Sequence, residues 1–385
     1  MYDLLLKNGT VIDPSQRLND RMDVAISEGR IQAVERSIPE SGASKCVDVS
    51  GLLVVPGLVD IHTHVAGGIG GLCVDADRYC LPDGVTTAVD AGSTGHLLFR
   101  AFSELVIPSK RTRLHAFLNV ESLGMIESAA RGNGWTTEKW PDLITAPADR
   151  YDGLFVNLKE TCRTVLKNSG EIVGIKWAHH TLDTFRLARK AADEAHTRLM
   201  AENHHMPEGL KYVRQGDILT HVFHHYFNPV ARRYDGIEEG GEIRSEFHEA
   251  YRRGIVFDLG HGSSSFSWKV AEKAVAEGLR PHTISTDIWR RNVSGPVRSM
   301  TNVMSKMFCL GMGLEEIIGA STTIPAKAIG LSGIAGSLKP GGQADIAVLR
   351  LAEGRFEFTD CEGETRRGSK KFQPVHVVRD GQIVK

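Results

Sequence analysis

Cysteine is scarce and unpatterned: Cys46, Cys73, Cys80, Cys162, Cys309 and Cys361 are scattered over 385 residues without a CxxC pair. That spacing argues against a disulfide framework and against a cysteine-ligated zinc, and it suits a reducing cytoplasm. No window approaches the roughly 20 apolar residues that a membrane span needs, so the chain reads as soluble. The first residues, MYDLLLKNGTVIDP, carry neither a basic start nor a small-residue cleavage site. An excess of charge of one sign is also missing. Lys plus Arg number 46 against 47 for Asp plus Glu, and a net charge of −1 provides no field to gather nucleic acid. No GxGxxG opens a helix after a strand, which removes the dinucleotide fingerprint. At 41% hydrophobic and 24% charged residues, the composition excludes disorder, collagen and coiled coil, and it supplies a sizeable core.

Glycine and histidine are abundant, at 40 and 16 residues, and that much histidine directs attention to metal chemistry. The chain ends read as short strands. Residues 3–7, 10–12, 23–26 and 31–34 are separated by the turn signals Asn8-Gly9 and Glu28-Gly29; residues 344–349, 355–358, 374–378 and 383–384 have the same character, with Asp380-Gly381 between the last two. This predicts one small β-sandwich domain built from residues 1–55 and 336–385. Between them, residues 56–335 alternate strand and helix. Apolar segments at 52–61, 86–90, 114–120, 171–177, 198–203, 218–222, 255–259 and 283–287 make eight, and helical periodicity appears at 183–196, 244–253 and 268–278. Eight strands with helices between them describe a (β/α)8 TIM barrel better than an open sheet.

The first of these segments ends in Asp60-Ile61-His62-Thr63-His64. Alternation puts His62 and His64 on one strand face, at the C-terminal end where barrels carry their sites, so the two imidazoles can chelate one ion.

The surrounding sequence GLLVVPGLVDIHTHV closely resembles the first-strand signature of the amidohydrolase superfamily, which includes dihydroorotase, urease and D-aminoacylase. Residues 323–331 and 336–338, followed by GGQADIAV, resemble that family's return from the barrel into its small β domain, so the resemblance spans essentially the whole chain. FDLGHGSSSFSW and HTISTDIWRRN are most similar to a group of dihydroorotase-like deacetylases, some of which cleave acetyl esters of 2-hydroxy acids such as acetyl-mandelate.

The resemblance implies a ligand set. Lys176 stands where the family has a lysine carboxylated by CO2; a free lysine amine titrates near 10.4, so two divalent cations must stabilise the anionic product that bridges them. On the fifth strand, Leu199-Met200-Ala201-Glu202-Asn203-His204-His205 offers Glu202 by alignment and His204 by chemistry, two positions on one face, and the choice stays open. His221 matches an isolated histidine ligand, and Asp287 matches the metal-bound carboxylate and general base. His261 is a candidate substrate contact or a support for Asp287. Arg290 or Arg291 could pair with a substrate carboxylate. His224, His225 and the cluster Trp177-Ala178-His179-His180 are candidates to shape the pocket.

The implied reaction is hydrolysis of an amide or ester of a small molecule by a hydroxide bridging two ions, zinc first and manganese or iron also acceptable, with Asp287 moving the proton. A cyclic amide is the alternative substrate, and a non-catalytic barrel used as a binding module is the rival of another class. Such a barrel tends to lose ligands, and this chain has His62, His64, Lys176, His221 and Asp287 together. A single-metal deaminase would not need the lysine. Substrate, native metal and whether the chain forms a homo-oligomer are left open by the sequence.

Overall fold

The computed structural model describes residues 1–125, 156–178, 182–228, 233–239 and 242–385. Strands β1 (Leu4–Asp13), β2 (Leu18–Ser27), β3 (Arg30–Glu35), β4 (Cys46–Asp48) and β5 (Leu53–Pro56) open the chain. The barrel strands β6 (Leu58–Thr63), β7 (Val85–Ala91), β8 (Arg113–Asn119), β9 (Ile172–Trp177), β10 (Leu199–Glu202) and β11 (Ile218–Thr220) follow. Two short hairpins, β12 (Tyr226–Asn228) with β13 (Arg233–Asp235) and β14 (Glu238–Glu239) with β15 (Glu242–Ile243), precede β16 (Val256–Phe257). The chain closes with β17 (Ile346–Thr359), β18 (Thr365–Arg379) and β19 (Gln382–Ile383).

Strands β6 to β11 and β16 form a seven-stranded parallel sheet in sequence order. Residues 283–288 close the ring, bridging Asp258 through Thr283 on one side and Thr63 through Ile288 on the other. The expected eighth strand is therefore present as isolated bridges and not as a continuous ladder. Asp287 is left-handed at φ 47°, so the backbone turns away before a ladder can extend. Amphipathic helices cover the outside. In Leu182–Glu194 the residues Phe185, Ala188 and Ala192 recur at three and four and are buried, with Phe185 stacked on Trp177 at 4.0 Å. Helix Met300–Cys309 is almost wholly buried and starts at Ser299, whose hydroxyl accepts from Asn302 N.

The second sheet runs β19-β18-β17-β5-β1-β2-β3, with β4 parallel to β1. Its core is Leu6, Val11, Val24, Ile26, Val54, Ile346, Val348 and Val378, drawn from both chain ends. The fold is thus a TIM barrel with a small β-sandwich domain made by the terminal segments. Two local expectations need correction. Asn8-Gly9 is not a turn; β1 runs through it as a bulge, with Asn8 at φ 65° and its N–H donated to Asp23 Oδ1 at 2.8 Å. The apolar run 52–61 is not one strand: it breaks at the Pro56-Gly57 pair, β5 staying in the terminal sheet while β6 enters the barrel. The far end of the β17–β18 ribbon leaves its sheet and lies on the barrel, where Phe358 and Phe372 join the barrel core. Among the described residues, no helix is long and apolar enough to cross a membrane.

Candidate active site

Strand ends of the barrel converge on one buried cluster. His62 and His64, at the end of β6, are 1% and 4% exposed, and Lys176 in β9 is 0% exposed. Lys176 fits because Gly92 lies against its stem: a Cβ on Gly92 would stand 2.7 Å from Lys176 Cγ. Glu202 is the last residue of β10, and His221 follows β11 directly.

Each imidazole is held from behind at Nδ1. His62 Nδ1 lies 2.8 Å from Thr220 Oγ1, and the Thr220 hydroxyl donates onward to Asp258 Oδ2 at 2.7 Å. A hydroxyl has one proton, so Thr220 accepts from His62, which puts the His62 proton on Nδ1 and leaves Nε2 as a lone pair. His221 Nδ1 donates to Gly260 O at 2.5 Å, with the same consequence. His64 Nδ1 pairs with Ser93 Oγ at 2.9 Å. Outer partners that fix the tautomer and orientation in this way are characteristic of metal-binding histidines.

The Nε2 atoms face inward. His64 Nε2 is 3.0 Å and His62 Nε2 3.5 Å from Asp287 Oδ1. His221 Nε2 is 3.8 Å from Glu202 Oε1, and Lys176 Nζ is 3.3 Å from both His62 Nε2 and Glu202 Oε1. Two groups, His62 with His64 and Asp287 and His62 with Glu202 and His221, each bring one donor atom within 4.8 Å of the others and could hold a metal ion. Burial, with the neighbouring Lys176 and His221 charges, holds His62 well below its ordinary range. Burial also lowers His64, but the hydrogen bond to Asp287 and the negative charges of Asp287 and Asp90 together outweigh it and raise the imidazole.

Three buried aspartates brace these strand ends. Asp258 also accepts from Thr283 Oγ1 and Ser285 Oγ, both at 2.7 Å. Asp60 accepts from Thr286 Oγ1 at 2.6 Å and from the Thr286 and His62 N–H groups, and burial pushes its carboxyl up to about 7. Asp90 accepts from the Val65, Ala66 and Ser93 N–H groups. Sequence reasoning passed over all three, although an aspartate inside an apolar strand was the available signal: Asp60 stands two residues before His62, and Asp258 lies within FDLGH.

A cavity of about 200 Å³ opens over the cluster, bounded among the described residues also by Leu72, Met125, Trp289 and the serines Ser263, Ser264 and Ser265. Glu202 is 4% exposed within the buried cluster, whereas the His204 ring stands beside it, Nε2 3.8 Å from Glu202 Oε2, and also lines the cavity. His261 is placed elsewhere: it is 0% exposed and its Nε2 contacts Lys306, so it does not reach the cavity. Arg290 and Arg291 are exposed and are not among the cavity residues; the Arg291 guanidinium lies over the Trp289 ring at 5.9 Å, and it is Trp289 that faces in. His224 Nε2 contacts Asn203 O at 2.6 Å, and His225 Nδ1 donates to Glu362 at 2.9 Å. His179 and His180 lie outside the described residues, and Trp177 is a core residue.

The amidohydrolase family model matches residues 283–385. A deacetylase of Agrobacterium fabrum (strain C58) is 31% identical over 368 residues, covering 93% of this chain and 85% of that protein. Two solved structures, one titled an adenine deaminase and one a dihydroorotase, superpose at a TM-score of 0.85 with 28% identity. Each covers 100% of this chain, matched to 99% of the first and 98% of the second.

Proposed function

Because the chain belongs to the amidohydrolase superfamily, we propose that it is a binuclear hydrolase of small-molecule amides or esters, with N-acyl amino acids and acetylated 2-hydroxy acids as the leading substrate classes. The observation that carries this reading is the set of three imidazoles whose Nδ1 atoms are all engaged from behind while their Nε2 atoms face Asp287, Glu202 and Lys176.

The donor set suits two divalent ions. One imidazole nitrogen serves one ion, so His62 counts once. With His62, His64 and Asp287 around one ion, Glu202 and His221 remain for the other, and Lys176 lies between the sets. An ammonium there would repel both cations, whereas a carbamate on the same nitrogen supplies the missing anionic donors. Nitrogen and carboxylate donors favour zinc, and manganese or iron accepts the same set. When bound, such ions bring the acidity of water toward neutral pH and polarise a scissile carbonyl.

The chain's own residues do the rest. The Asp287 side chain is 12% exposed and forms part of the cavity wall, where its carboxylate takes a proton from the attacking water and returns it to the leaving amine or alcohol. Glu202 places negative charge where an imidazole would be neutral. Ser263, Ser264 and Ser265 give the cavity neutral donors, and Leu72, Met125 and Trp289 give it an apolar wall, a combination suited to a short acyl group on a polar carrier. The full-length match to a solved dihydroorotase supports a second reading, opening of a cyclic amide by the same machinery.

The test is elemental analysis after reconstitution with zinc and bicarbonate, run beside a screen of N-acetyl amino acids, acetylated 2-hydroxy acids and cyclic amides. About two ions per chain with turnover in one class is expected. One ion or none would overturn the binuclear reading.

A further inference from the structure

Lys306, in helix Met300–Cys309, is 0% exposed although it lies outside the ligand cluster. Its Nζ contacts three acceptors from three segments: His261 Nε2 at 2.6 Å, Thr359 O at 2.6 Å and Pro296 O at 3.1 Å. Burial lowers this amine to about 7, and none of the three partners is a carboxylate. The His261 ring donates from Nδ1 to Gly262 O at 2.9 Å, which leaves Nε2 free to accept from Lys306, and the ring stacks on Phe266 with centroids 4.7 Å apart.

Gly262 is where this chain of contacts meets the site. It is left-handed at φ 56°, its N–H donates to Thr286 O at 3.0 Å, and a Cβ on it would stand 2.6 Å from Asp287 Oδ2. Its backbone therefore backs the Asp287 carboxylate, and Ser263 to Ser265 follow it into the cavity wall. At the other end, the tip of the β17–β18 ribbon is fastened to the same region. Trp268 donates from Nε1 to Phe358 O at 3.1 Å and from its backbone to Asp360 at 2.9 Å, and Ser267 Oγ donates to Glu362 at 2.6 Å.

We propose that Lys306 is a positioning residue for Asp287: through His261 and Gly262 it locks the turn that backs the carboxylate, and through Thr359 it fastens that turn to the ribbon of the terminal sheet. This rests on Asp287 handling the proton, as argued above. The terminal domain thereby becomes part of the apparatus that aims the reacting carboxylate.

Two measurements test it. In hydrogen exchange, Lys306→Met should speed exchange in peptides covering 260–266 and 356–362 together and leave 1–56 unchanged; this readout needs neither metal nor substrate. In kinetics on the best substrate of the screen, Lys306→Met should lower kcat on the order of 10- to 100-fold, with KM little changed. Combined with Asp287→Asn, which alone should cost about 10²- to 10⁴-fold, it should add almost nothing, because the group it aims is gone. Multiplied losses in the double variant, or wild-type kcat in Lys306→Met, would overturn the proposal. Near-normal turnover of Asp287→Asn alone would instead overturn the assignment of Asp287. If Lys306→Met does not accumulate as folded protein, His261→Leu cuts the same link from the other side and must give the same pattern, while Arg367→Ala, an exposed ribbon residue paired with Glu357, must not.

Discussion

Thr220→Val replaces one hydroxyl by a methyl at a fully buried position, so it removes a hydrogen-bond relay without opening a cavity. Two contacts go: His62 Nδ1 to Thr220 Oγ1 at 2.8 Å, and Thr220 Oγ1 to Asp258 Oδ2 at 2.7 Å. Asp258 keeps its bonds from Thr283 and Ser285, but the His62 N–H is left buried without an acceptor, a loss of about 1–3 kcal/mol in stability. The second consequence is chemical. Freed from Thr220, His62 can move its proton to Nε2, the nitrogen that faces Lys176 and Asp287, and a protonated nitrogen cannot bind a cation. Outer-partner losses of this kind weaken metal affinity about 10- to 100-fold, or about 1.4–2.7 kcal/mol. Urea unfolding of the metal-free protein and chelator competition on the loaded protein measure the two effects separately. Thr220→Ser should restore both. A valine variant that loses stability yet binds metal as tightly as wild type would refute the claim that Thr220 and Asp258 set the tautomer of His62.

Lys176→Ala should lower metal content and activity together, and short carboxylic acids should partly restore both; an unmodified amine in a metal-loaded, high-resolution structure would refute the carbamate. Glu202→Gln should lose one ion per chain by elemental analysis while His204→Asn keeps both, and the reverse pattern would make His204 the ligand. Burial pushes the Asp83 carboxyl up to about 6 against Thr301, which donates to it twice. A carboxyl raised in the folded state favours folding fully below its unfolded value near 3.8 and loses that advantage as pH rises through 6. Asp83→Asn should therefore gain about 2.4 kcal/mol on wild type between pH 4 and pH 8 in urea unfolding, and a pH-independent difference would refute the cause given.

Strand alternation made the inner ends of the barrel readable. His62 and His64 share a face because they are two apart, and Lys176 sits within a run of apolar residues, so its burial in the ring could be expected. Alternation fails where the strand stops. β10 ends at Glu202, and His205 is left-handed at φ 54°, so a rule that equates Glu202 with His204 cannot rank them. The same limit explains Arg290 and Arg291: Asp287 is left-handed, and the turn after it brings Trp289 inward. Of the two roles open to His261, contact with the cavity could not be set aside from sequence because its partner, Lys306, is distant in the chain and lies on a helix whose pattern gives no sign of a buried cation. Asn8-Gly9 looked like a hairpin turn because the dipeptide permits left-handed backbone, which a bulge uses equally well.

The break at Pro56-Gly57 has a consequence for how the chain is made. β5 pairs with β1 on one side and with β17 on the other, and β17 begins at Ile346. The strand that leads into His62 thus stays half-paired during synthesis until Ile346 and the residues after it have emerged. The barrel can begin to assemble from its sequential neighbours, β6 with β7 and β7 with β8, while its own first segment is still waiting at an open sheet edge. Joining residue 385 to residue 1 and opening the chain at a surface turn between barrel elements would shorten that wait, because the two terminal segments would then be synthesised together. Early β5–β17 pairing is the variable such a permutant isolates, and a lower yield of aggregate during expression is the expected sign of it.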